Sequence, residues 1–108
     1  VKVNQEQEKE KPMSDRDAYR EKAEARLELL DARISALKAK AKAAKADVEI
    51  KYNEQIEKLN DRRADARARL DELAQKGEEA WQEVKAGVEQ AFGELQGAID
   101  AAAARLES

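Results

Sequence analysis

From Ala23 onward the apolar residues fall at Ala23, Leu27, Leu30, Ile34, Leu37, Ala41, Ala44 and Val48, at spacings that alternate between four and three. That alternation is a heptad seam, one narrow apolar stripe along a helix. Nearly every residue between those positions is Glu, Asp, Lys, Arg or Ala, types that favour helix and keep the other faces in water. Beyond Val48 the stripe continues through Tyr52, Ile56 and Leu59 with a locally unwinding step, then resumes at Leu70 and Leu73. Arg63 and Ala66 hold the intervening positions, so the seam weakens from Asn60 to Arg69. A second stripe, Trp81, Val84, Val88, Phe92, Leu95, Ile99, Ala102 and Leu106, lies on one face of the C-terminal segment.

The boundaries of these elements follow from local chemistry. Ser14 with Asp17 three residues on has the form of a capping box, with Asp in place of Glu, and predicts a helix start at Ser14 or Asp15. No Gly or Pro occurs from Asp15 to Lys76, which predicts one helix over 15–76, roughly 93 Å long at 1.5 Å per residue. Lys76 followed by Gly77 reads as a helix end with Gly at C′, and Glu78 and Glu79 suit the first turn of a helix over about 78–106. Residues 1–13, polar and containing the single proline, read as a flexible leader ahead of one helical domain over 14–108. Gly93 and Gly97 form a GxxxG spacing, but Glu94, Gln96 and Asp100 around them forbid burial in lipid.

The expected architecture is therefore all-α, a coiled-coil helical hairpin in which the amphipathic C-terminal helix folds back on the long helix. Folding back would leave the seam from Ala23 to Ala44 bare, which predicts a homo-oligomer with Leu27, Leu30, Ile34, Leu37, Ala41, Ala44 and Val48 at its interface. Trp81, Val84, Val88, Phe92, Leu95 and Ile99 would pack the C-terminal helix. The competing topology is a three-helix bundle bent near Asp47, since the chain divides into thirds of about thirty residues; no turn residue marks such a bend.

Composition narrows the function. Of 108 residues, 42% are charged, the mean hydropathy is −0.91, and only Tyr19, Tyr52, Trp81 and Phe92 are aromatic, too few to wall a deep pocket. There is no Cys and no His, so the commonest metal ligands and the commonest general base are missing, and neither catalysis nor a metal or other cofactor is expected. Asp15 with Asp17, and Asp61 with Asp65, lack the oxygen-rich loop of an EF-hand and read as capping and solvation. No run of about eighteen apolar residues predicts a membrane span, which makes the cytoplasm the expected compartment.

Charge adds orientation. Residues 13–46 carry nine basic and six acidic side chains and residues 77–108 two and seven, a complementarity that favours antiparallel contact within or between chains. Lys38, Lys40, Lys42 and Lys45, with Lys51 and the Arg62, Arg63, Arg67 and Arg69 group, are candidate contacts to the phosphates of nucleic acid, bound without sequence preference, or of anionic lipid. The sequence pI of about 5.2 and the lack of stacking aromatics among those lysines argue for solvated helix faces instead. A membrane surface is the stronger alternative partner, through the apolar face of the C-terminal helix, although that helix is acidic on its polar side where interfacial helices are usually basic.

Tyr19-Arg20-Glu21-Lys22, Leu30-Asp31-Ala32-Arg33-Ile34, Ile50-Lys51-Tyr52, Ala80-Trp81 and Val84-Lys85-Ala86-Gly87-Val88-Glu89 leading to Ala91-Phe92 carry a resemblance. The chain resembles small bacterial coiled-coil proteins of the stress-response type, found in cyanobacteria and proteobacteria. It departs from them at Phe92, where they usually carry Trp, and at Lys76-Gly77-Glu78, where they carry a Ser-Gly-Asp-like break. The resemblance implies a cytoplasmic, non-enzymatic helical protein linked to stress, with no catalytic residues to carry over. The expected partners are thus the chain itself or another helical protein.

Overall fold

The computed structural model describes residues 14–77 and 80–107, with the side chains of Leu106 and Glu107 outside that description. The expected leader over 1–13 and the first helical turn at Glu78 and Glu79 also lie outside the described residues. Among the described residues the chain forms three helices and no strand: α1 (Asp15–Ala43), α2 (Ala46–Gln75) and α3 (Trp81–Glu107). The expectation of an all-α chain holds. The single helix over 15–76 does not form, and the three-helix bundle replaces it.

Helix α1 starts where the capping residues place it. The Ser14 hydroxyl accepts from the Asp17 amide at 3.1 Å, and Asp15 and Asp17 stand in the first turn, where the helix dipole is positive. It ends without a turn residue. Ala44 and Lys45 both take extended backbone angles, and Lys45 caps α2 with no side-chain hydrogen bond. The Ala44 amide donates to Ala41 O at 3.2 Å, and the Asp47 carboxylate accepts from the Val48 amide at 3.0 Å.

The break exists because burial outweighs propensity. Interrupting the helix exposes about four backbone hydrogen bonds at a net cost of about 0.5–1.5 kcal/mol each. Folding α2 back buries Leu59, Leu70 and Leu73 against α1 and α3, and each buried Leu is worth about 1.5–3 kcal/mol. The facing residues Leu27, Leu30, Ile34 and Leu37 gain as much again. Local preference for one helix loses to that sum.

Between α2 and α3 the chain breaks where expected, but with a different backbone. Gly77 does not take a left-handed conformation, and no described residue has positive φ. Lys76 caps α2 in an extended conformation, its amide bonding to Leu73 O at 3.3 Å, and Gly77 O accepts from the Ala80 amide at 3.2 Å. The Arg16 guanidinium crosses from the start of α1 to bond Lys76 O at 2.6 Å. It satisfies a carbonyl that the end of α2 would otherwise leave to solvent.

The ion pairs give the directions. Arg63 with Asp31 and Arg67 with Glu24 run α1 antiparallel to α2, while Arg26 with Glu89 and Arg33 with Asp100 run α1 parallel to α3. The main core gathers Leu27, Leu30, Ile34, Leu59, Leu70, Leu73, Val88, Phe92, Leu95 and Ile99. A separate small cluster, Ala41, Tyr52 and Ile56 with half-buried Ala44 beside it, closes the end where α1 turns into α2. Ala66, in the stretch where the seam weakens, is wholly buried, so its small side chain marks close helix approach and not a gap.

Candidate functional site

The residues expected at an oligomer interface divide in two. Leu27, Leu30, Ile34, Leu37 and Ala41 are buried by the chain's own helices, so the bare seam that predicted association is covered within one copy. The physical reason is the break at Ala44, which lets α2 as well as α3 lie on α1. Ala44 is half-buried, and Val48 is 39% exposed. Of the C-terminal set, Trp81, Val84, Val88, Phe92, Leu95 and Ile99 are all buried in the main core.

Over the first half of the α1–α3 seam sits a cluster of aromatic and charged groups. The Tyr19 and Trp81 rings lie 5.9 Å apart at 34°, and Lys85 Nζ stands 5.1 Å from the Tyr19 ring centre and 5.6 Å from that of Trp81. Arg26 lies over Phe92 at 5.1 Å, and its Nη1 reaches Glu89 Oε1 at 3.3 Å. The Tyr19 hydroxyl donates to the other Glu89 oxygen. Burial, and then Glu89, push Tyr19 well above the usual phenol range; the Tyr19 hydrogen bond, opposed by desolvation, leaves Glu89 below the usual carboxylate range. The cluster therefore holds a protonated phenol against an ionised carboxylate, an arrangement that stabilises and does not poise either group for proton transfer near neutral pH.

The arginines of α2 have acid partners. Arg63 makes a two-pronged contact with Asp31 at 2.7 and 3.0 Å, and Arg67 bridges Glu24 at 2.9 Å and Asp71 at 2.8 Å. These hydrogen bonds raise both guanidinium groups further above their ordinary value. Arg62 pairs with Glu94 at 3.2 Å. Each pair is more than a third exposed and worth about 0–1 kcal/mol, so the ladder sets register more than stability. It also occupies the arginines named as phosphate contacts; Lys38, Lys42 and Lys45 are exposed.

Sequence reasoning missed the Arg63–Asp31 and Arg26–Glu89–Tyr19 contacts, which join residues 32 to 70 positions apart and leave no local signature. It also left out Leu29 and Ile50, apolar residues outside the stripes, 69% and 61% exposed. Among the described residues no three carboxylates converge as a metal site, and no helix is long and apolar enough to cross a membrane. A groove of about 510 Å³ between α2 and α3, floored by Leu59, Ala98 and Ala101, is open to solvent and rimmed by Lys58, Arg62 and Asp65. No protein-family model, curated protein or solved structure matches the chain.

Proposed function

We propose that this chain is a non-enzymatic structural or interaction protein of the cytoplasm, working through helical association with itself or with another helical protein. The resemblance to bacterial stress-response coiled coils supports reading that association as part of stress tolerance. The observation that carries the reading is the end of the bundle where α1 turns into α2. There the apolar seam runs on past its cover: Val48, the seam position between buried Ala41 and Tyr52, is 39% exposed, and Ile50, off the stripe on the same helix, is 61% exposed. Elsewhere the outer faces are dense in paired charge, with Leu29 a lone large exposed apolar residue on α1, which keeps the bundle dispersed and directs association to that end.

Absolute mass in solution across about a hundredfold range of concentration tests the reading. Mass rising above the 12.1 kDa of one chain, with a melting temperature that climbs alongside it, is the expected result. Trp81, 5% exposed against Tyr19, reports on the competing surface: its emission should be blue-shifted in buffer and indifferent to anionic vesicles. A monomeric mass throughout, with a blue shift on adding vesicles, would replace protein association by lipid binding through α3.

A further inference from the structure

The break between α1 and α2 is a helix-forming sequence held out of a helix. Residues 40–46, Lys-Ala-Lys-Ala-Ala-Lys-Ala, contain no Gly, Pro, Asn or Ser, yet Ala44 and Lys45 are extended and Lys45 offers the next helix no side-chain acceptor. The connector is two residues long. The apolar seam passes through it without losing step, since Ala41, Ala44, Val48 and Tyr52 follow one another at three, four and four. Ala41 and Tyr52 are buried, whereas Ala44, inside the break, and Val48, just beyond it, are left partly uncovered.

We propose that the partner fitted to this end is a second copy of the chain, which it meets by exchanging α1. In the exchanged dimer α1 and α2 join into one helix over 15–75, and each α1 packs on the α2–α3 hairpin of the other copy. The proposal rests on the reading of the chain as an associating helical protein and specifies its partner and its hinge. Every contact that closes α1 onto the bundle, including Arg63 with Asp31, Arg67 with Glu24 and Arg26 with Glu89, re-forms between copies without change. Two gains are new. Backbone hydrogen bonding runs unbroken through residues 44 and 45, and the two long helices cross where Ala44 and Val48 of one copy meet those of the other.

Charge suits that crossing. Lys40, Lys42 and Lys45 precede or occupy the hinge and Asp47 and Glu49 follow it, so an antiparallel crossing brings the basic side of one copy to the acidic side of the other. The second connector behaves differently. It spans Lys76 to Ala80, contains Gly77 and is tied by the Ala80 amide on Gly77 O, so α2 and α3 stay together as the unit on which α1 is exchanged. A short connector whose sequence prefers the open form is the circumstance in which exchange competes with closure.

The test uses the absence of Cys from the chain. Ser35 and Asn60, both exposed, border one depression with Asp31 and Arg63, so they are neighbours in the closed bundle. In a straightened helix they lie 25 residues apart, about 38 Å at 1.5 Å per residue. The Ser35→Cys/Asn60→Cys chain, spin-labelled at both positions, is refolded from denaturant at high concentration with excess unlabelled wild type, and the dimer fraction is isolated. The label-to-label distance within one chain should be close to 38 Å in the dimer and short in the monomer. A dimer keeping the short distance overturns exchange while leaving association standing, and failure of any dimer to form overturns both. As a second readout, Ala44→Gly/Lys45→Asp, which favours the break by removing a helix former and adding an N-cap, should raise the dimer dissociation constant about a hundredfold or more without changing monomer helicity. An unchanged constant would equally sink the proposal.

Discussion

Replacing Gly93 and Gly97 by Ala should stabilise this protein. Both lie in the interior of α3, both are exposed, and a Cβ built at either position meets no atom within 4 Å. The GxxxG spacing therefore marks no close helix approach; the glycines only weaken the helix that carries most of the core aromatics. In a helix interior Gly costs about 0.8–1 kcal/mol relative to Ala, largely through the extra freedom it returns to the unfolded chain. With no contact to disturb, the pair should add, giving about 1.5–2 kcal/mol. For a fold of about a hundred residues that corresponds to a rise of roughly 6–16 °C in Tm. Urea unfolding followed by circular dichroism is the direct assay, and the midpoint should move upward with the slope unchanged. Gly87→Ala is the internal comparison: there a Cβ would touch Arg69 Nη1 at 3.6 Å, an ordinary contact, so its gain should be equal or slightly smaller. A double variant no more stable than the parent would show that α3 is not a regular helix through residue 97, or that something else packs on that face.

Two further outcomes follow from the core and the α1–α3 seam. Ala66→Leu, at a wholly buried position between helices, should destabilise by about 1–3 kcal/mol by forcing α2 outward, and denaturant titration would show a tolerated Leu if the helices were not closely apposed there. Tyr19→Phe should cost about 0.5–1 kcal/mol at neutral pH by removing the hydroxyl that Glu89 accepts. It should also flatten the pH profile of stability at both ends. Glu89 is lowered in the fold, so its contribution is present above the unfolded carboxylate value and lost as pH falls through the folded one. Tyr19 is raised, so its contribution is full below the ordinary phenol value and lost as pH rises through the folded one. Urea midpoints measured from pH 3 to pH 11 check both limbs, and an identical profile in the variant would refute the assignment.

Much of the fold could be read from spacing alone. The stripes at Leu27 to Ala41 and at Trp81 to Ile99 are the faces that the bundle buries, because a 3.5-residue period leaves a helix only one apolar side to hide. The start of α1 was legible because Ser14 caps it by a bond between neighbours. The break at Ala44 was not, since Ala and Lys are strong helix formers and the energy that overrides them comes from Leu59, Leu70 and Leu73, residues far along the chain. Gly77 marked the second break by residue type, although Lys76 caps α2 in extended backbone and no left-handed residue is needed there. The candidate interface was legible only as apolar positions; whether they face the same chain or a second copy turns on that same unmarked break.

An odd number of helices joined by short connectors puts the first described residue of α1 and the last of α3 at opposite ends of the bundle, about 40 Å apart at 1.5 Å per residue. A load applied between those two points runs along the helix axes. Because α1 and α3 lie parallel, it drags them past each other and strains Arg26 with Glu89, Arg33 with Asp100 and the interlocked side chains beneath them all at once. A two-helix hairpin, with both ends on one side, would instead be peeled apart one turn at a time. The three-helix arrangement thus sets end-to-end load on this small bundle in shear along its helices rather than in peeling.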